Sequence, residues 1–363
     1  MTAPNPAAEL TTDAGYTAED IAQQWSQLRQ TEPKLRIRDA AAKLGVSEAQ
    51  LVALGCGTTA TRLSADWGDF IRELEALGPV MALTRNDGAV SEKDGHYRNV
   101  EIFTGHTRMG QVLDSGIDLR LFLDRWAIGF AVCEESPRGL RRSFQFFDAT
   151  GTAVHKTYLR EASNVEAFES LTRRFAAPDQ SREQPVSAPP PPAAEIPDAE
   201  VDVAGFRQGW RELKDTHDFI RLIHRFRVSR TQALRLAEPE MAWQVRPDSF
   251  GRILEEVAAA RENIMIFVGN PGCIQIHSGP IHNVKRVGEW LNVLDDGFNL
   301  HVHEPKVHSA WVVKKPTARG IVTGVEFFDA TGEQIAILHA KRREGETPSP
   351  FWAELCDRLT RVG

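Results

Sequence analysis

Two spacings of apolar residues divide this chain. From Ala18 they recur at helical intervals through DIAQQWSQLRQ, and again through RIRDAAAKLGVSEAQLVAL, where Gly45 ends one helix and Ser47 caps the next. WGDFIRELEAL, residues 67–77, predicts a further amphipathic helix. From Val80 the period shortens to two, in VMALTR, HYRNVEIF, IDLRLFL, AIGFAVCEE, RRSFQFFDATG and AVHKTYLR. Glycine-containing turns separate several of these runs, which predicts a meandering antiparallel sheet. A helix over residues 164–175 closes the segment.

Residues 177–200, APDQSREQPVSAPPPPAAEIPDAE, carry a proline run and little that packs, the composition of a semi-extended linker. Beyond it the pattern begins again. FFDATG stands at residues 146–151 and returns at 327–332, 181 positions later. The same offset brings Leu119 onto Leu300, Phe130 onto Trp311 and Arg120 onto His301. Upstream, RNDGAV at 85–90 matches GNPGCI at 269–274, and GVSEAQL at 45–51 matches RVSRTQA at 227–233. A six-residue identity in phase with weaker matches indicates tandem duplication. The expected architecture is α+β: two similar halves, each with N-terminal helices and a large antiparallel sheet. Residues 18–176 form the first repeat, 177–200 the linker, and 201–363 the second repeat.

The halves differ where chemistry is conceivable. In residues 214–237, KDTHDFIRLIHRFRVSRTQALRLA, the stripe Phe219, Leu222, Ile223 and Phe226 predicts one short helix, with Asp215 and Thr216 just ahead as capping oxygens and Ser229 opening a second. His217 falls in the first turn, off the stripe, where a histidine either caps the surface or offers a neutral nitrogen to a ligand. The first half has no matching histidine. Glu48 stands over Arg230, and Tyr158 over His339.

Composition narrows the classes. Hydrophobic residues at 42% and charged residues at 26% are ordinary for a globular protein, and 363 residues suffice for two cores. A net charge of −7 argues against a general nucleic-acid binder, so the paired helix-turn-helix units do not by themselves mark a DNA-binding regulator. Cys56, Cys133, Cys273 and Cys356 lie far apart, as unlinked thiols do. The opening MTAPNPAAELTTDAG lacks the basic and apolar regions of a signal peptide, and no apolar run reaches membrane-spanning length. The cytoplasm is therefore the expected compartment. HVHEPKVH sets His301 and His303 on one face of a strand with His308 nearby, a pair able to grip a metal or simply an exposed polar face. Glu134 and Glu135 are expected on a solvated face, and nucleotide-cradling or serine-hydrolase motifs are missing.

Several stretches taken together resemble the HemS/HmuS-type haemin-degrading factors, haem-binding proteins of bacterial haem-uptake systems. The resemblance spans nearly the whole chain. It rests on VMALTRN (80–86), IDLRLFLDRW (117–126), SFQFFDATGTAVHKTY (143–158), KDTHDF (214–219), SRTQALR (229–235), IMIFVGNPGCIQI (264–276) and VVKKPT (312–317). It implies that His217 ligates the haem iron and that Arg120 stands on the opposite haem face, as the catalytic candidate. It further implies that Arg230, Lys315 and Arg342 contact the propionates, and that Phe122 and Phe267 lie near the macrocycle. Where the family commonly carries tyrosine this chain has His339, which replaces that polar contact or loses it. The implied function is cytoplasmic haem binding, serving delivery, oxidative degradation with an external reductant, or both. A haem-uptake transporter or a separate haem oxygenase is the implied partner. A carrier and a catalyst need the same pocket, so the residues alone do not choose between them.

Overall fold

The computed structural model describes residues 16–105, 107–137, 139–191, 194–341 and 350–362, and the chain divides into two compact units. The first holds the residues up to Arg85, Glu92–Pro191 and Asn270–Gln275. Its elements are α1 (Ala18–Thr31), α2 (Ile37–Leu44), α3 (Glu48–Ala53), β1 (Ala60–Leu63), α4 (Trp67–Glu73), β2 (Val80–Arg85), β3 (Ala89–Gly95), β4 (Val100–Thr104), β5 (Arg108–Leu113), β6 (Asp118–Phe122), β7 (Ile128–Ser136), β8 (Gly139–Phe147), β9 (Ala153–Leu159) and α5 (Val165–Arg174). The helix ends follow from local chemistry. Thr17 and Asp20 form a capping box, Ser47 accepts from the Gln50 amide, and Gly45 takes the left-handed turn at φ 67° that side chains resist.

Strand order in this unit runs β1-β7-β8-β9-β2-β3, with β4, β5 and β6 forming a separate antiparallel ribbon. Residues Cys273–Gln275 pair with the open side of β6, placing Ile274 opposite Arg120. The core gathers α4, α5 and the inner sheet face around Phe70, Phe144, Phe146 and Phe168, whose rings meet edge-on or tilted at 4.6–5.6 Å.

The second unit takes Asn86–Ser91 together with the chain from Pro192 to Gly269 and from Ile276 onward. Its elements are α6 (Val203–Arg211), α7 (Asp218–Phe226), α8 (Arg230–Leu236), β10 (Ala242–Val245), α9 (Ser249–Ala260), β11 (Ile264–Asn270), β12 (Cys273–Gly279), β13 (Val284–Val287), β14 (Trp290–Asp295), β15 (Phe298–His303), β16 (Ser309–Thr317), β17 (Gly320–Phe328), β18 (Gln334–Ala340) and α10 (Pro350–Arg358). Strand order is β10-β16-β17-β18-β11-β12, with the ribbon β13-β14-β15 beside the β3 residues that this unit holds.

The registers reproduce the duplication. Phe130 faces Gln145 as Trp311 faces Glu326, and Gln111 faces Arg120 as Asn292 faces His301, each pair shifted by the same 181 positions. Both sheets carry a bulge at the double phenylalanine, between Phe146 and Phe147 and between Phe327 and Phe328. Within each unit one asparagine seats the segment that comes from the other half. Asn270 donates to the Arg85 and Val154 carbonyls and accepts from the Gly272 and Cys273 amides. Asn86 does the same toward Gly269, Ile335, Gly88 and Ala89.

The six strands expected in the first half are joined by β1, β3 and β5. Strand β3 carries Glu92, Lys93 and Asp94, and its alternation shows only in burial, with Ala89, Ser91 and Lys93 inward. The proline-rich stretch also packs more than its composition suggests. Val186 is buried, Gln180 bonds to Arg62 in both directions, and the Glu183 carboxylate accepts from the Ala18 amide.

Candidate functional site

In the second unit the amphipathic stripe of α7 buries Phe219, Leu222 and Ile223, which fixes the helix and leaves its start exposed. His217 is the N-cap residue, and its ring is 93% exposed. The segment before it is pinned: the Lys214 carbonyl accepts from the Ala318 amide at 2.9 Å, and the Trp210 indole donates to the Lys314 carbonyl at 2.9 Å. One oxygen of Asp215 accepts from both the His217 amide at 2.8 Å and its Nδ1 at 2.5 Å. These two bonds, the backbone one first, hold the Asp215 carboxyl below the usual carboxylate range. A carboxylate only accepts, so Nδ1 carries a proton, and the neutral form of the ring offers the Nε2 lone pair to a ligand.

Arg230 opens α8 after the Ser229 cap, and its guanidinium meets Glu326 of β17 at 2.6 and 2.9 Å. Lys315 of β16 reaches the same carboxylate at 2.7 Å. Glu326 and Lys315 are buried, while Arg230 keeps 19% of its side chain exposed. Burial alone would raise the Glu326 carboxyl, but Arg230 and Lys315 outweigh it and hold it far below the usual range. Two cations on one anion leave a surplus positive charge. The Phe219 ring sits 4.6 Å from Lys315 Nζ and 5.4 Å from the Arg230 guanidinium. This ties α7 to the cluster.

His339 lies on β18 opposite Gly324, where a Cβ would overlap its ring. Its Nδ1 donates to the Thr323 carbonyl at 3.2 Å, and Phe267 meets it edge-on at 5.7 Å. Burial first, then Lys315, pull its pKa down to about 4, so it is neutral at pH 7.

Arg120 and Phe122 lie on β6 of the first unit. The Arg120 guanidinium is half-buried and pairs with Asp118, and it also donates to the Leu119 carbonyl at 3.0 Å. Arg342 lies outside the described residues. The structure therefore gathers His217, Arg230, Lys315, Phe267 and His339 within one unit and sets Arg120 and Phe122 in the other.

Sequence reasoning passed over Glu326, though an acid inside the apolar strand GVEFF was its signal. It treated Asp215 only as a cap. It also missed a cluster in the first unit, where Glu48 of α3 is buried between Lys156 of β9 and Arg85 of β2. The neighbouring residues of the same two strands, which face the other side of the sheet, form a second, fully buried network. His155 meets Thr84 at 2.9 Å and the Tyr97 hydroxyl at 2.6 Å, and Cys273 meets Thr84 at 3.3 Å.

The other candidates separate. His301 bonds to Asn292 and His303 to Glu289, and among the described residues no three potential ligands gather for a metal ion. All six residues of α3 are buried, as are Gln232, Ala233, Leu234 and Leu236 of α8. The second helix of each helix-turn-helix unit is therefore core, whereas a DNA-reading helix must present its face. Glu134 pairs with Arg141 on an exposed face, as expected. Among the described residues no helix is long and apolar enough to cross a membrane.

Comparison with known proteins converges on one family. The model of the haemin-degrading HemS/ChuX domain matches twice, over residues 45–175 and 227–359. The hemin transport protein HmuS of Yersinia pestis is 38% identical over 93% of this chain and 96% of its own. The crystal structure of holo-PhuS, a heme-binding protein from Pseudomonas aeruginosa, superposes with a TM-score of 0.92 at 44% identity, covering 96% of this chain and all of that one. The structure of ChuS, an E. coli heme oxygenase, gives a TM-score of 0.83 at 32% identity, covering 94% and 99%.

Proposed function

As the chain belongs to the haemin-degrading HemS/ChuX family, we propose that it binds haem through His217 and serves its delivery in a bacterial haem-uptake system. The observation that carries this reading is the exposed, carboxylate-backed imidazole at the start of the helix whose Phe219 packs against a cluster of surplus positive charge. Iron-ligating histidines use the neutral ring and commonly donate their other N–H in this way. Haem is cargo or substrate here, supplying the iron and two carboxylates. The surplus charge on Glu326 is the complement for a propionate, with Arg230 the reachable member and Lys315 supporting it from behind. Phe267 offers apolar surface, and His339 a neutral polar edge where the family commonly carries tyrosine. We assign Arg342 to the propionates, and Arg120 and Phe122 to the face of haem away from His217, on the family resemblance. For Arg120 this requires leaving Asp118. Carriage is the preferred reading because Arg120, the catalytic candidate that the resemblance implies, is paired with Asp118.

The test is titration of the purified chain with ferric haem, followed by the same titration of His217→Ala. Weakened affinity and a moved Soret band are expected; an unchanged spectrum and affinity would remove the assignment. Incubation of the complex with a reductant and catalase, followed by product analysis, separates carriage from degradation. Catalase excludes ring opening by free peroxide.

A further inference from the structure

We propose that Asp215 is the positioning residue of His217, setting both the ring nitrogen offered to haem iron and the strength of its donation. The inference rests on haem ligation by His217. Its basis is that the carboxylate is fixed independently of the ring it orients. The oxygen that meets Nδ1 also accepts from the His217 amide. The Asp215 amide donates to Asp218 at 3.2 Å, the Asp218 amide returns to the Asp215 carbonyl at 3.1 Å, and Arg221 holds the Asp218 carboxylate at 3.1 Å. Among the described residues, this reciprocal turn is anchored at one end by the bond from Ala318 to Lys214 and at the other by α7.

The consequence is chemical as well as geometric. An imidazole whose N–H points at a carboxylate acquires partial imidazolate character, because the carboxylate draws the proton toward itself. The stronger donor favours the more highly charged metal, so Asp215 biases the site toward ferric over ferrous haem. Neither a cap nor a neutral hydrogen-bond acceptor does this to the same degree. In a carrier, such a bias holds the oxidised cargo and loosens the hold when the iron is reduced.

The experiment compares wild type, Asp215→Asn, Asp215→Ala and His217→Ala with ferric and dithionite-reduced haem. Asparagine keeps the oxygen that caps the His217 amide but removes the charge. Asp215→Asn should lower ferric affinity by about 10–100-fold, the usual cost of losing such an outer partner, and ferrous affinity by less. The midpoint potential then rises by about 59 mV for each tenfold difference between the two losses. The iron–histidine stretch of the ferrous complex should move to lower frequency. Equal losses in both oxidation states, or an unmoved potential and stretch, would overturn the inference and leave Asp215 as a cap. A His217→Ala complex that overlays wild type would instead remove the ligation on which the inference stands. The two failures are thereby distinguishable.

Discussion

At the scale of single residues, buried charge governs what this protein tolerates. Glu326 is shared by Arg230 and Lys315, so Glu326→Gln leaves the buried Lys315 and the partly exposed Arg230 without their common anion. Losing one partner of such a pair costs about 3–5 kcal/mol, read by urea unfolding at pH 7. Its folded carboxyl lies far below the unfolded value of 4.5. Its stabilisation is therefore complete above that value and lost as pH falls through the acid range, and the variant should lack this part of the acid limb. His155 works in the same direction, for burial pulls it from 6.5 to about 3. The neutral ring stabilises the fold fully above pH 6.5, and that contribution falls away as pH drops toward 3. An NMR titration should find His155 uncharged at pH 5; a charged ring there would contradict the buried network. The KDTHDF stretch singled out His217 in the sequence, and the structure leaves its ring exposed. Glu326 was only half legible: an acid inside the apolar strand GVEFF hints at burial, but its partners Arg230 and Lys315 lie on other elements and show only in the folded chain.

At the scale of elements, turn chemistry does the specifying. Asn270 makes two donations and accepts two amides, and Asn86 donates to the Gly269 and Ile335 carbonyls and, at 3.4 Å, to that of Gln334, while accepting two amides. Asn270→Ala leaves two buried carbonyls and two amides without that partner. It should cost several kcal/mol, about 1 for each bond lost and more where water cannot replace it. Asn86→Ala should cost a similar amount, and thermal unfolding of the two variants checks the equivalence. The ends of several first-half helices were legible because caps are local: Ser47, Gly45 and Asn164 stand where expected, whereas the helix expected over 67–77 keeps α-helical form only to Glu73, and α6, α9 and α10 were not anticipated. Strands β3 and β5 escaped because Glu92, Lys93 and Asp94 in one, and Gly110 and Gln111 in the other, mask an alternation that only the packed sheet reveals. The proline-rich stretch escaped for a different reason. Its partners, Arg62 and Ala18, lie far off in sequence.

At the scale of the molecule, the duplication was legible, since FFDATG marks the same bulge in both sheets. The membership of short segments was not. RNDGAV and GNPGCI are nearly equivalent turns, so either half satisfies the same local pattern, and only the assembled core decides which unit each joins. A consequence follows for fragments. A chain ending at residue 191 lacks Cys273–Gln275, the strand segment paired with β6, and leaves that edge unpaired. Such a fragment should elute as aggregates on size exclusion rather than as a monomer. A monodisperse, fully folded fragment would show that the segment is dispensable.

The two charge clusters also constrain how the repeats diverged. In one, the helix supplies the acid, Glu48, and the sheet supplies Lys156 and Arg85. In the other the helix supplies a base, Arg230, at the matching position, and the sheet supplies Glu326 where the first has Gln145. A direct exchange of acid for base sets a third cation among two already buried, a state several kcal/mol less stable than either end point. Passage through an uncharged residue such as glutamine avoids that state. The same barrier stands today: Glu48→Arg should fail to fold, whereas Glu48→Gln should fold with reduced stability, as circular dichroism of the two variants would report.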